Sequence, residues 1–177
     1  MSLSLHTLPV ELTFTTFEIH WYQIGDKGAK HLANTLQRNE TLTTLNLYGN
    51  GISDEGAQYL ANALQRNKVT QLVVLFSLCS HPFIHYFSQT LTTLYLGENR
   101  IGNEGAKQFA NALQQNQTLT YLNLYGNNIG DEGGEYLANA LQRNKTLTEL
   151  DLISNQIGDN ILRRINEILQ NRARLKR

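Results

Sequence analysis

Thr118–Lys145 reads TLTYLNLYGNNIGDEGGEYLANALQRNK, and this unit of 28 residues recurs along the chain. It returns at residues 13–40, 41–68 and 90–117, and with a changed ending at 146–173. A fixed period of this size marks a solenoid, in which each repeat is one supersecondary unit. Leu122 and Leu124 stand two apart and so point to one face of a short strand. Leu119 leads into that strand and Ile129 follows it, both expected inside. Asn127 falls where the chain must turn. Beyond it the period changes. Gly134, Leu137, Ala138 and Leu141 keep the i, i+3, i+4, i+7 spacing of an amphipathic helix. Gly130 or Asp131 is expected to open this helix, and in the second repeat Ser53 or Asp54 to accept its orphan N–H groups. Small residues at Ala57, Ala61, Ala106, Ala110 and Ala138 let each helix lie close to its strand and its neighbours. One such coil cannot bury its own apolar face, so the coils must stack.

The first half of the unit, L-x-x-L-x-L-x-x-N-x-I, resembles a leucine-rich repeat. The second half, G-A-x-x-L-A-x-A-L, is similar to the long ribonuclease-inhibitor subtype, also found in the sensor arrays of nucleotide-binding leucine-rich-repeat receptors. The resemblance implies an α/β solenoid filling residues 1–177 as one domain. It would be a right-handed horseshoe segment, with parallel strands on the concave face and helices on the convex face. It further implies that Asn127 bonds backbone groups of its own turn and of neighbouring coils, with Asn50, Asn99 and Asn155 on the same rung. A ribonuclease inhibitor proper is not expected, because that family is rich in cysteine and strongly acidic. Here there is one cysteine and the formal charge is zero.

Three regions depart from the unit. In the first repeat Phe14, Phe17 and Ile19 replace the leucines, and Tyr22 stands where the rung asparagine belongs. Between repeats two and three lies an irregular insert, 69–89, poor in charge and holding Cys79. Two readings compete for it. It is a shortened coil, with Val69, Leu72, Val74 and Ser77 in the Leu, Leu, Leu and Asn positions. Alternatively it is an intron read through in frame, since a Val codon starts GT and a Gln codon can end AG. In the last repeat Ile161 and Leu162 stand where Gly133 and Gly134 stood, and Asn166 replaces Ala138. Larger and more polar residues there suit a final helix that caps the stack.

Composition narrows the function. Fifteen Lys+Arg balance fifteen Asp+Glu, so no bulk charge argues for nucleic acid or a membrane as partner. One cysteine forms no internal disulfide and supplies no zinc framework, and a reducing, cytoplasmic setting is expected. The opening MSLSLHTLPV lacks the basic start and long apolar run of a signal peptide. Six basic residues gather in the tail, Arg163, Arg164, Arg172, Arg174, Lys176 and Arg177, where cations suit a helix C-terminus. Sequons at Asn39, Asn116 and Asn144 recur at the same repeat junction, so the repeat itself explains them.

No catalytic constellation, cofactor site or metal site is legible. Cys79-x-His81-x3-His85 mimics ligand spacing but lacks further ligands, and Pro82 breaks any helix between them. Gly102–Lys107 lacks phosphate-loop spacing. The chain is therefore expected not to be an enzyme, and surface is what remains. Residues alternating with the strand leucines face the concave side. They are Thr16, Glu18, His20; Thr44, Asn46, Tyr48; Thr93, Tyr95, Gly97; Tyr121, Asn123, Tyr125; and Glu149, Asp151, Ile153. None is Lys or Arg and four are tyrosine, which offers large, rigid contact area with a polar end. Tyr48, Tyr95, Tyr121, Asn123, Tyr125, Glu149 and Asp151 are the candidate residues for binding a protein ligand. The expected function is a protein-recognition module, a sensor or regulatory fragment. Two alternatives stand beside it: a GTPase-activating regulator, because the fold also occurs in such proteins, and a non-functional fragment of a longer array.

Overall fold

A computed structural model describes residues 14–66 and 91–175. Strand and helix alternate through five coils: β1 (Thr16–Glu18), α1 (Gly25–Leu36), β2 (Thr44–Asn46), α2 (Asp54–Arg66), β3 (Thr93–Tyr95), α3 (Asn103–Leu113), β4 (Tyr121–Asn123), α4 (Asp131–Arg143), β5 (Glu149–Asp151) and α5 (Asp159–Leu175). The strands form one parallel sheet in the order β1-β2-β3-β4-β5, so every coil stacks on its sequence neighbour. Strands form the concave face of this α/β solenoid and helices the convex face.

The core is the row of leucines between sheet and helices. In coils two to four the slots Leu42, Leu45, Leu47, Ile52; Leu91, Leu94, Leu96, Ile101; and Leu119, Leu122, Leu124, Ile129 are all buried. Coil one behaves differently. Phe14 is 72% exposed and Phe17 41% exposed although both occupy leucine slots, and only Ala29, Ala33 and Leu36 of this coil join the buried core. No described coil precedes it, so among the described residues no further coil closes over these rings.

The rung expected from the resemblance is present. Asn99 Oδ1 accepts the N–H groups of Asn50 (3.0 Å) and Ile52 (2.9 Å), while its Nδ2 donates to the carbonyls of Leu47, Leu96 and Gly97. Asn127 reaches back likewise to Ile101 N–H and Leu96 O, and Asn155 to Ile129 N–H and Leu124 O. Asn50 closes the row on coil one, donating to Ile19 O and accepting from Tyr22 N–H. The residue before each rung is left-handed, with φ of 61° at Trp21, 67° at Gly49, 52° at Glu98, 62° at Gly126 and 59° at Ser154. Glycine fits this turn best, and the three other residue types are departures within a fixed geometry.

A second ladder corrects the expectation about helix starts. Asp54 does not complete its own helix. Its Oδ1 crosses to the next coil and accepts from Gly102 N–H (2.6 Å) and Gly105 N–H (3.0 Å), which open α3. Asp26 does the same for Ser53 and Gly56, and Asn103 for Gly130 and Gly133. The starts of α2, α3 and α4 are thus supplied from the preceding coil, while Ser53 Oγ donates to Asp26 Oδ2 (2.7 Å) and, as expected, accepts an N–H of its own helix, that of Glu55, at 3.3 Å. The approach is close: a Cβ on Gly105 would lie 2.6 Å from Asp54 Oδ1. In coil five that glycine position is Ile161, and Asp131 there bonds Gly158 N–H alone.

A third row settles the sequon positions. Asn116 and Asn144 are buried, and each Oδ1 accepts the N–H groups two and three residues on. Asn144 Nδ2 also donates to Leu113 O and Asn116 O. A glycan on that nitrogen would displace both bonds.

Residues 69–89, Cys79, His81 and His85 lie outside the described residues. On either side of them β2 and β3 are direct partners, in the register Thr44↔Thr93, Leu45↔Leu94, Asn46↔Tyr95. Among the described residues, β3 thus follows β2 directly in the sheet.

Candidate protein-binding face

The short strands bring the candidates into cross-sheet rows, because the register never slips. One row runs Thr16, Thr44, Thr93, Tyr121, Glu149, and the next Glu18, Asn46, Tyr95, Asn123, Asp151. Tyr48 and Tyr125 follow β2 and β4 two residues later, on the same side of the alternation. Of the seven candidates, the four tyrosines and Asp151 are half-buried and Glu149 is exposed.

Asn123 is placed differently from the expectation. It is 8% exposed, and its polar atoms are occupied. Oδ1 accepts Tyr125 N–H (3.2 Å), and Nδ2 donates to Asp151 Oδ2 (3.0 Å) and to the Tyr121 hydroxyl (3.3 Å). Asn123 thus holds the Tyr121 hydroxyl, the Asp151 carboxylate and the Tyr125 backbone in place. Asp151 in turn accepts Ile153 N–H at 3.0 Å.

The aromatic rings pair along the face. Tyr95 and Tyr121 have centroids 5.1 Å apart at a tilt of 48°. Trp21 and Tyr48 meet edge to face, 5.5 Å apart at 72°. Both members of the second pair rest on glycine backbone of the next coil. A Cβ on Gly49 would come 2.4 Å from the Trp21 indole, and one on Gly97 2.6 Å from the Tyr48 ring. The Tyr48 phenol has its pKa raised, first by desolvation and then by the neighbouring Glu98 carboxylate. Glu98 itself is exposed on the rim.

Trp21 and Glu98 were absent from the candidate set, although a signal for both was available. They occupy the left-handed position that is glycine in repeats two and four, and Trp21 is the chain's one tryptophan. A hollow of about 520 Å³ lies between Trp21, Gln23, Gly51, Glu98 and Arg100. A second of about 520 Å³ sits at the coil-five end of the stack, where Leu150 of β5 and Ile153 just beyond it lie across from Leu162, Ile165 and Leu169 of α5.

The basic tail is partly spent on packing. Arg164 donates to Glu135 (2.6 Å) and Asn139 (2.7 Å) on α4. Arg172 donates to Leu147 O (2.7 Å) and to Leu141 O, near the end of α4, where a cation suits the dipole. Among the described residues no group of His, Cys, Asp and Glu is arranged to hold a metal ion, and no helix is long and apolar enough to cross a membrane.

Comparison with known proteins agrees with this architecture. No curated protein matches the chain in sequence. A solved structure of leiomodin-1 actin-binding site 2 superimposes with a TM-score of 0.71, at 20% identity, covering 92% of this chain and 82% of that one. The tropomodulin C-terminal domain of Caenorhabditis elegans gives 0.69 at 15% identity, covering 94% and 90%. A family profile described as Leucine Rich repeat matches residues 38–61, 87–110, 115–138 and 143–165, more than half of the sequence. The chain belongs to the leucine-rich-repeat family.

Proposed function

We propose that this chain is a protein-recognition module whose concave sheet takes a protein ligand, acting by binding and not by catalysis. The observation that supports the reading most is the inner face itself. Four tyrosines stand in fixed register, Tyr121 held at its hydroxyl and Tyr125 at its backbone by the buried Asn123, among inward positions that include no Lys or Arg. Rigid aromatic anchors on a preorganised frame keep the ordering cost of binding low. Tyr48, Tyr95, Tyr121, Tyr125, Glu149 and Asp151 are the proposed contacts, with Asn123 as their positioning residue. A regulatory or sensor role, in a cytoplasmic setting, fits such a module.

The test is capture of proteins on the immobilised chain beside a Tyr121→Ala/Tyr125→Ala variant. Mass spectrometry should find proteins retained by the first and missing from the second. Removing two hot-spot tyrosines should cost about 2 kcal/mol or more of affinity. Identical retention on both, or loss only with Arg163 and Arg174 changes, would move the site off the inner face. The leiomodin-1 domain is by its title an actin-binding site. Fold likeness alone does not carry a partner across, so co-sedimentation with actin filaments checks that one directly.

A further inference from the structure

Resting on the concave-face reading, we infer that the partner is a cationic protein segment, bearing Lys or Arg, one of whose cations seats against the Trp21–Tyr48 ring pair beside Glu98. The argument begins with exposed aromatic surface. Trp21 is 65% exposed, yet it is seated: its backbone N–H donates to Tyr48 O (3.1 Å) and its indole lies on Gly49. With Tyr48 it makes a perpendicular pair, so a group entering there meets the face of one ring and the edge of the other. Ring faces attract cations, tryptophan most of all.

Charge around the pair points the same way. Glu98 borders the hollow that Trp21 lines, and its carboxylate lies close enough to the Tyr48 phenol to raise the phenol's pKa. Glu18 and Glu149 are exposed farther along the sheet and Asp151 is half-buried. No Lys or Arg offsets them at any inward position. Arg100, beyond Glu98 on the turn, is the one cation bordering the hollow. An anionic partner would meet repulsion from Glu18, Glu98 and Glu149, whereas a basic one finds complementary charge.

The chemistry of the partner can be read without knowing its identity. A phage-displayed random dodecapeptide library is selected on the immobilised chain. Winners should be enriched in Lys and Arg over the starting library. They should weaken about three- to thirtyfold on the Trp21→Ala or Glu98→Gln chain, the range of a cation over an aromatic face. Glu98→Gln keeps size and packing, so its effect is not one of folding, and unchanged melting verifies this for both variants. Arg100→Ala should tighten the same peptides. Winners with no basic enrichment that are released by Tyr121→Ala/Tyr125→Ala would overturn the cationic partner and leave the face standing. Winners indifferent to every inner-face change would overturn both readings. An empty selection overturns the inference, and the capture experiment then decides the face independently.

Discussion

Coil four and coil one are built from the same repeat and meet different fates. In coil four Leu119, Leu122, Leu124, Ile129, Leu137 and Leu141 are all fully buried. In coil one the matching strand slots hold Phe14 and Phe17, both exposed. The difference lies in what stands on either side. Coil four has β3 and α3 before it and β5 and α5 after it, whereas no described coil precedes coil one. Burial in a solenoid is conferred by neighbours, so identical positions carry different energetic weight. A leucine slot is stringent only where another coil closes over it.

The largest effect should come from pairing the two coils directly. Leu122→Ala should destabilise by about 3 kcal/mol, from lost transfer energy and the cavity left behind. Phe17→Ala should cost under about 1 kcal/mol, since much of that ring is already in water. Denaturant midpoints at constant slope measure both. Similar losses at the two sites would mean that coil one is covered after all, and that the contrast is false.

Next in size is the deletion of residues 69–89, which joins Lys68 to Thr90 in repeat phase. Coils two and three already pair directly, so the deletion shortens a connection without removing a sheet rung. Closing about 20 fewer residues should stabilise by roughly 2–3 kcal/mol on the logarithmic rule. A single transition at higher denaturant is expected. A lowered midpoint would show that the segment contributes packing of its own, and messenger RNA lacking it would support the intron reading.

Smaller again is the rung. Asn127→Ala removes the partner of Ile101 N–H and of three carbonyls inside the stack. It should cost about 2 kcal/mol, the penalty of orphaned buried polar groups. Tyr22→Ala, at the same repeat position in coil one, should be nearly silent because its side chain is 77% exposed. Equal losses from the two would show that the rung does not depend on the coil behind it.

The smallest effect separates charge from hydrogen bonding at the helix starts. Asp54→Ala should cost about 1 kcal/mol, as loss of a cap does. Asp54→Asn should recover most of it, since Asn103 performs the same task one coil later. Failure of asparagine to rescue would assign the effect to the helix dipole instead.

Much of this was legible before any coordinates. The 28-residue period carries the fold, because a pattern that repeats in both strand and helix halves leaves stacking as the one way to bury it. Asn50, Asn99 and Asn155 were placed on the rung by resemblance alone. What escaped was anything that depends on two coils at once. Asp54 sits where a helix would cap itself, and nothing local reveals that its oxygen serves Gly102. Asn123 alternates with the strand leucines like a surface residue, yet the carboxamide is consumed by Tyr125, Asp151 and Tyr121. Trp21 drew no reading from the sequence, and its seat on Gly49 is what shows an anchored ring.

The acceptors at the helix starts and those at the rungs run in opposite directions along the chain. Asp26 and Asp54 give forward to the coil that follows, whereas Asn99 and Asn127 give back to the coil already made. Synthesis proceeds from the N-terminus, so a helix emerging from the ribosome finds its terminal acceptor waiting. The same coil then delivers the amide that its predecessor's turn has lacked until that moment. Growth is therefore vectorial: each addition finishes the one before it and leaves a half-made socket for the next, which also makes a duplicated unit of the same length a ready fit.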